Sequence, residues 1–476
     1  MSYLMKRALA LVLVLILLWV PMNFTLQAEE TTGVEYEVLF KQVMDLIQKS
    51  YLNNKQVTQK DLFEAAMKGM FDKLDPYSEF LTPVENENFS NSINATFVGI
   101  GVQLLQVGDY ATITNVFKES PAMKAGVLKG DYFKKVNGLD VAKMPVENVV
   151  KLVVGEAGTT VTIVFGRGAT EYTVDIVREK VTVSTVETVD VIQLNKRLTS
   201  AQASKIGYIS LSSFSETAPA LFAKALQIQK EKGAKYLILD MRDNGGGYVS
   251  SAVDMAKAVV PKGGIVSFVD NTGSEYTYKS ELAEAPFEIV ALVNEYSASA
   301  TEFFAGAIQD SRVGTLVGET TYGKGVAQYL MELTTDSNPL TVDNNYTIKL
   351  TEEEFFTRNH HKVNEIGITP DYVVEIPSFV LGGSKYYFND KAEEIVAIEK
   401  VLAYLGYKVG VPDTVFDKMT FAAVKKFQAD HKLYSYGVCD ITTQKILNEA
   451  LQKSVLEKDP QLDKAFELIL QKMAQN

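Results

Sequence analysis

Apolar residues recur at helical spacing near both ends of the chain. Between residues 34 and 74 they form two apolar faces, which predict two or three packed helices. Residues 395–405, 420–427 and 442–451 predict three short helices of a small bundle, and residues 462–473 predict a last helix with one apolar side. The pattern therefore predicts a helical N-terminal region and a helical C-terminal part.

Strand and helix patterns alternate in the middle of the chain. Residues 206–209 and 236–241 are short apolar runs, and residues 217–233 between them have the pattern of a helix. A strand–helix–strand order is typical of an α/β layer. Residues 287–293 form a further apolar run of strand length, and the good helix formers of residues 301–308 follow it.

Two other stretches complete the predicted architecture. Residues 97–138 contain short strand patterns around a short helix and end in an Asn-Gly turn, which predicts a compact, mainly β domain. Residues 377–384, with two adjacent glycines, predict a linker. A chain of 476 residues is too long for one core, so we expect a multidomain α+β protein.

Composition and charge narrow the classes of function. Hydrophobic residues make up 46% and charged residues 22% of the chain, as in ordinary globular proteins. The formal net charge of −12 argues against a nucleic-acid partner, because a phosphate backbone needs a basic face. Cys439 is the only cysteine, so no disulfide forms within the chain, and core burial has to supply its stability.

The first 28 residues have the layout of an export signal. Lys6 and Arg7 precede an apolar run at residues 8–20, and the small residue Ala28 comes just before two glutamates. The run is short for a bilayer span, although its extension through Phe24 leaves a retained membrane anchor open. We therefore expect export, with either a cleaved signal or an anchor.

A serine at the turn after residues 287–293 is the first candidate for chemistry. Ser297 and Ser299 lie at this turn, where the N-terminus of the next helix offers unpaired N–H groups to a developing oxyanion. This position suits acyl transfer. Simple helix capping is the alternative role for a serine here.

Lys324 is the best candidate for the base that activates this serine. The chain has only 3 histidines, and none lies in such a turn beside a carboxylate. Lys324 stands between Gly323 and Gly325, where the backbone can approach another element closely. A lysine is a base only when neutral, so we expect Lys324 to be buried and held by a hydrogen bond from Gln328. A solvated turn lysine is the alternative.

The motifs around these residues resemble those of the carboxyl-terminal processing peptidases, which use a serine–lysine dyad. The matching segments are Ser-Ala-Ser-Ala-Thr-Glu from Ser297 and Gly-Lys-Gly-Val-Ala-Gln from Gly323. The resemblance implies that Ser299 is the nucleophile, Lys324 the base and Gln328 its support, at the family's spacing. It also implies an α/β, crotonase-like protease core that needs no metal or cofactor.

Three glycines, residues 245–247, follow the predicted strand at residues 236–241. A phosphate-binding loop is one interpretation, but no Gly-Lys-Ser/Thr follows, and the glycine spacing differs from that of a dinucleotide-binding fold. In the family that the chain resembles, this segment donates to the oxyanion hole. The resemblance implies that Gly246 or Gly247 supplies one N–H group and Ala300 the other, and the sequence leaves the choice of glycine open.

The mainly β region resembles a PDZ domain. Residues 99–102 match the loop that presents free N–H groups to a peptide's terminal carboxylate, and Ser-Pro-Ala and Gly-Asp motifs follow in order at residues 120–122 and 130–131. The resemblance implies that this domain binds the C-terminal tails of protein substrates. The residues that would contact the tail are Gly99, Ile100, Gly101 and Val102.

Two further resemblances concern the ends of the chain. Asp75-Pro76-Tyr77-Ser78 is similar to the family's Asp-Pro-His-Ser signature, with Tyr77 at the histidine position. The helical region before it often mediates dimerisation in the family, which implies a homodimer. Residues 405–437 resemble the peptidoglycan-binding domain of bacterial wall enzymes, although Thr414 replaces the usual glycine of one loop.

These observations lead to one preferred function and one domain plan. We predict an exported serine endopeptidase that recognises C-terminal tails, in regulated proteolysis at the cell envelope. A non-catalytic wall-associated PDZ scaffold is an alternative that needs no serine–lysine pair, and a wall glycan hydrolase is another that needs a carboxylate pair or a metal site. The plan comprises a signal or anchor (1–28), a helical region (34–90), a PDZ domain (92–180), a protease core with its connector (181–376), a linker (377–390), a bundle (391–452) and a final helix (455–476).

Overall fold

The computed structural model describes residues 33–333, 346–380 and 383–475. The predicted export signal lies outside these ranges. The first compact unit contains helix α1 (Gly33–Ser50), a 3-10 turn (Asn54–Gln56) and helix α2 (Gln59–Phe71). A capping box begins α2, because the Asp61 N–H donates to Thr58 Oγ1 at 3.1 Å and the Thr58 N–H donates to the Asp61 carboxylate at 2.7 Å.

The next elements are a strand and a helix that precede the predicted mainly β domain, followed by that domain itself. They are β1 (Glu79–Leu81), α3 (Pro83–Ile93), β2 (Thr96–Gly99), β3 (Val102–Val107), β4 (Tyr110–Val116), α4 (Pro121–Lys124), β5 (Tyr132–Val136), β6 (Leu139–Asp140), α5 (Val146–Val153), β7 (Thr160–Arg167), β8 (Thr170–Val177) and β9 (Glu179–Thr182). One sheet has the order β3-β4-β5-β7-β8 with β6 on β5, while β2 pairs with β9. Alternate residues of β7, namely Val161, Ile163 and Phe165, are fully buried, as expected for a strand with one face on a core.

The α/β core follows. Its elements are β10 (Val186–Thr188), α6 (Val191–Leu194), α7 (Ser200–Ala203), β11 (Ile206–Leu211), α8 (Ala218–Glu231), β12 (Tyr236–Asp240), α9 (Val249–Lys257), β13 (Gly263–Asp270), β14 (Glu275–Ser280), β15 (Glu288–Val293), α10 (Ala300–Asp310), β16 (Gly314–Gly318), β17 (Val326–Leu333), β18 (Tyr346–Thr357) and β19 (Tyr372–Val373). A six-stranded sheet runs β10-β11-β12-β15-β16-β19, and its strands from β11 onward are parallel. The predicted α/β layer is confirmed.

The α/β core contains a second sheet, which is antiparallel. Its order is β1-β18-β13-β14, and β17 pairs with β18 as well. Because Phe80 of β1 is in register with Ile348 of β18, the turn at residues 75–78 is brought beside β17 and β18.

The C-terminal part contains α11 (Glu394–Tyr404), α12 (Lys418–Asp430), α13 (Ile441–Glu457) and α14 (Pro460–Gln475). The first three share a core that includes Ile398, Phe427 and Leu447. Val380 and Tyr386, from the segment predicted as a linker, are buried in the same core. No helix in the described ranges is long and apolar enough to cross a membrane.

Helix α14 packs on the parallel sheet instead of the bundle. Its Phe466 and Ile469 pack with Val290 and Leu292, whereas Ile289 on the opposite face of β15 packs toward the other helices. Both faces of β15 are therefore covered by helices. This explains why residues 287–293 are apolar without alternation.

Candidate active site

Ser299 lies at the sharp turn between β15 and α10. Its φ is +58°, in the left-handed region that costs a residue with a Cβ about 1–3 kcal/mol. A strained serine between a strand and a helix is the arrangement that exposes a nucleophilic hydroxyl. Ser299 accordingly lines a cavity of about 690 Å³.

The segment after β12 holds this turn in its strained conformation. The Asn244 carbonyl accepts the Ala298 N–H at 3.0 Å and the Thr301 hydroxyl at 2.9 Å. The Ser297 hydroxyl donates to the Met241 carbonyl at 2.9 Å. These bonds offset the local strain and fix the position of Ser299.

Two backbone N–H groups near Ser299 are available to an oxyanion. Across the ranges that the structure describes, neither the Ala300 amide nor the Gly247 amide has a hydrogen-bond partner. The Gly246 amide differs, because it donates to Asn244 Oδ1 at 2.9 Å. Gly246 instead packs against the serine turn, where a Cβ on it would lie 3.0 Å from the Ser299 Cβ. Of the two glycines left open by the sequence, Gly247 has the available donor.

Lys324 is half-buried and lines the same cavity as Ser299. Burial, followed by the positive charge of Lys349, lowers the pKa of Lys324 from 10.5 to about 8. Three nearby carboxylates raise the pKa of Lys324 but do not offset the effect of burial. These are Asp75, Glu79 and Glu302. An appreciable fraction of the amine is therefore neutral in mildly alkaline solution.

A buried carboxylate that the sequence analysis did not assign joins the serine turn to the lysine loop. Glu302 is fully buried and accepts the N–H groups of Ser299 at 2.7 Å, Gly323 at 2.7 Å and Lys324 at 2.8 Å. The Thr321 hydroxyl also donates to it, at 2.6 Å. Burial raises the pKa of Glu302, and these hydrogen bonds oppose the shift. Its place three residues after a candidate helix cap is the signal that could have identified it.

Gln328 lies on β17 and lines the cavity. Its Nε2 donates to Thr351 Oγ1 at 3.1 Å, and Thr351 Oγ1 donates to Asp75 Oδ1 at 3.1 Å. No hydrogen bond between Gln328 and Lys324 occurs in the described part of the chain. The sequence led us to expect a hydrogen bond from Gln328 to Lys324. Gln328 instead bonds to Thr351, which lies between β17 and the turn at residues 75–78 and supports that turn.

One wall of the cavity is aromatic. Phe268, Phe303 and Phe355 are buried there, with ring centroids 5.6 to 6.3 Å apart. Phe303 lies one helical turn after Ser299, so this wall begins beside the serine. The tyrosines that line the cavity are Tyr248, Tyr276, Tyr278 and Tyr329. These walls suit an apolar side chain of a substrate.

Comparison with known proteins decides the family. The model of peptidase family S41 matches residues 205–374, a PDZ domain model matches residues 112–167, and the model of a putative peptidoglycan binding domain matches residues 391–447. The carboxy-terminal processing protease CtpA of Bacillus subtilis (strain 168) is 33% identical over 444 residues, which cover 90% of this chain and 91% of that protein. The chain belongs to the carboxy-terminal processing serine proteases.

Two further comparisons are with a second relative and with a solved structure. The probable CtpA-like serine protease of Staphylococcus aureus (strain COL) is 34% identical over 419 residues, covering 86% of this protease and 80% of that protein. A solved structure of the photosystem II D1 C-terminal processing protease is 24% identical, with a TM-score of 0.41, and covers 71% of this chain and 92% of its own.

The PDZ domain of this protease has an open edge next to its glycine loop. Strand β3 ends the sheet order, so one side of it is unpaired within that sheet. In the loop before it, the amides of Ile100 and Gly101 have no hydrogen-bond partner among the described residues, while the Ile100 carbonyl accepts the Ala122 N–H at 2.8 Å. Gly101 has a φ of +78°, and a Cβ on it would lie 2.3 Å from the Ser120 Cβ. The loop is therefore shaped to present free N–H groups.

Proposed function

We propose that this protease is an exported endopeptidase that cleaves peptide bonds with Ser299 and Lys324 and selects proteins by their C-terminal tails. The observation that carries the proposal is that a strained Ser299 and a Lys324 with a pKa of about 8 line one cavity of about 690 Å³. A serine needs an adjacent base, and a lysine can act as one only when it is largely removed from water.

The proposed mechanism uses five residues of the chain. The neutral amine of Lys324 takes the proton of Ser299 Oγ as that oxygen attacks the substrate carbonyl carbon. The Ala300 and Gly247 amides donate to the oxyanion. Lys324 then protonates the leaving amine, and water hydrolyses the acyl-enzyme with the same lysine as base. Glu302 holds the two reacting segments in register, which preserves their approach.

Tail selection is the role we assign to the PDZ domain. A chain end carries a carboxylate and an unpaired backbone, which the free amides of the loop at residues 99–102 and the open edge of β3 can bind. The carboxylate accepts the N–H groups, and the tail adds a strand to β3. Gly99 and Val102 flank the two available amides.

Location and assembly complete the proposal. We assign residues 1–28 to export and the bundle of α11, α12 and α13 to association with peptidoglycan, which would confine regulated proteolysis to the cell envelope. We further propose a homodimer formed through α1, because apolar side chains along this helix are exposed. These side chains are Val38, Leu39, Phe40, Val43 and Leu46.

Replacement of Ser299 by alanine tests the function. The full-length chain should cleave an unstructured peptide with an apolar free C-terminus, and Ser299→Ala should lower kcat/KM by about four orders of magnitude or more. The same peptide with an amidated C-terminus should be cleaved more slowly by the unmodified chain. Mass spectrometry of the preparation should exclude a contaminating protease. Cleavage that persists in Ser299→Ala would then contradict the proposal and favour a non-catalytic PDZ scaffold.

A further inference from the structure

We propose that Tyr77 is a positioning residue for Lys324. The ring of Tyr77 forms the wall that separates the lysine amine from water. The inference rests on the proposed role of Lys324 as the base. Tyr77 belongs to Asp75-Pro76-Tyr77-Ser78, the segment that resembles the family's Asp-Pro-His-Ser signature.

The contact between the two side chains is direct. Lys324 Nζ lies 4.7 Å from the centroid of the Tyr77 ring, within the roughly 6 Å that defines a cation–π contact. Tyr77 is half-buried, and burial, as the largest cause, raises the pKa of its phenol. The phenol is therefore uncharged near neutral pH.

The turn that carries Tyr77 is rigidly held. The Asp75 carboxylate accepts the Tyr77 N–H at 2.8 Å and the Ser78 N–H at 3.0 Å. Ser78 Oγ in turn accepts the Thr351 N–H at 3.0 Å, which fixes the turn to β18. The neighbouring Tyr322, two residues before the lysine, also contributes to the raised pKa of the Tyr77 phenol. The backbone that carries the ring is thus anchored to β18.

The ring affects the lysine in two opposite ways. Its face attracts an ammonium group and favours the charged form, whereas its bulk excludes water and favours the neutral form. Burial is the largest cause of the low pKa of Lys324, so we expect the exclusion of water by the ring to outweigh its attraction for the ammonium group. The other charges that face this amine come from several elements, and they are Lys349 on β18, Glu302 on α10, Asp75 before β1 and Glu79 on β1.

This balance predicts different outcomes for three substitutions of Tyr77 in the full-length chain. Tyr77→Phe keeps the ring and should leave the midpoint of the acid limb of kcat/KM within about 0.3 pH unit of the wild type. Tyr77→Ala admits water and should raise that midpoint by about one unit, with about tenfold lower kcat/KM below it. Tyr77→Leu keeps water out without an aromatic face, so its midpoint should stay or fall.

A second measurement does not depend on catalysis. In a Ser299→Ala background, the rate at which acetic anhydride modifies Lys324 can be followed against pH by peptide mass spectrometry, and it should show the same midpoints. Tyr329→Ala is the matched control, because Tyr329 lines the same cavity as Lys324 but its hydroxyl bonds to Glu353 at 3.2 Å. Its labelling midpoint should equal that of the wild type.

The results separate this inference from the function on which it rests. An unchanged labelling midpoint in Tyr77→Ala would overturn the role of Tyr77, even if cleavage became slower for structural reasons. Cleavage by a Lys324→Met chain would instead overturn Lys324 as the base, whatever the labelling shows.

Discussion

Two buried glutamates, Glu302 in the protease core and Glu399 in the C-terminal bundle, are held in similar ways. Each accepts a threonine hydroxyl and backbone N–H, from Thr321 and Gly323 at Glu302 and from Thr420 and Asp413 at Glu399. Burial raises the pKa of both carboxyls.

The two sites differ in the segments that supply the hydrogen-bond donors to the glutamate. The donors to Glu302 include the amides of Ser299 and Lys324, a strained residue and a residue of lowered pKa on the wall of a cavity. The donors to Glu399 belong to a loop and a helix start of the bundle, and neither Asp413 nor Thr420 has a left-handed φ. A buried, hydrogen-bonded carboxylate therefore identifies a functional site only through the segments that it joins.

Removing each glutamate tests this difference most strongly. Glu302→Ala should lower kcat/KM by about two to three orders of magnitude, because the serine turn and lysine loop lose their common acceptor and move apart. Glu399→Ala should leave kcat/KM within about threefold. Steady-state kinetics with a peptide substrate, after circular dichroism has shown that both variants are folded, measure this. Equal losses of activity in the two variants would contradict it.

Two glycines provide a matched pair in the same regions. A Cβ at Gly246, whose φ is +105°, would lie 2.9 Å from the Ala298 carbonyl oxygen, while one at Gly437, with φ of +80°, would lie 2.4 Å from the Phe421 ring. Gly246→Ala should reduce kcat/KM by about a hundredfold, because it displaces the serine turn. Gly437→Ala should lower the melting temperature of the bundle and spare the activity. Unimpaired cleavage by Gly246→Ala would show that the close packing of Gly246 against the serine turn is not needed for activity.

Changing pH sharpens the comparison further. Burial lowers the pKa of Lys324 to about 8 in the core, but it raises the pKa of the Cys439 thiol to about 12 in the bundle. The base must be deprotonated, so kcat/KM should rise about tenfold per pH unit below about pH 8 and level off above it. Thiol titration should detect no ionisation of Cys439 over this range. A profile that is flat between pH 6 and 8 would exclude Lys324 as the base.

The smallest expected effect concerns the stability of the bundle. The pKa of Glu399 is raised above its ordinary 4.5 in the folded state, so the protonated form is the one favoured by folding. The stability that this supplies is present below about pH 4.5 and is lost as pH rises through the folded-state pKa. Relative to Glu399→Gln, the wild type should lose stability between pH 4 and pH 7, measured by chemical unfolding. If the difference in unfolding free energy between the two chains did not change with pH, the pKa of Glu399 would be the same in the folded and unfolded states.

Several features of the fold could be predicted from the sequence because they depend on local patterns. The apolar run before Ser299 predicted a buried strand, and β15 is covered by helices on both sides. The segment at residues 377–384 was harder to interpret, because its glycines suggest a linker. The burial of Val380 in the bundle core depends on Asn448, which bonds to both its N–H and its carbonyl.

The candidate site shows the same division. Ser299 and Lys324 could be proposed from motifs because each motif is short and continuous. The partner of Gln328 could not, because Thr351 reaches it only through the pairing of β17 with β18. Tyr77 contacts Lys324 from a turn near the start of the chain, and no local pattern predicts that contact.

The amino-acid sequence by itself determined the family, the order of helices and strands in the core and the residues suited to acyl transfer, since these follow from periodicity and from short motifs. Tertiary structure alone decided which glycine amide near Ser299 is unpaired, which carboxylate joins the reacting segments and how far the lysine is removed from water. The physical reason is that desolvation and hydrogen-bond pairing depend on groups brought together from distant parts of the chain.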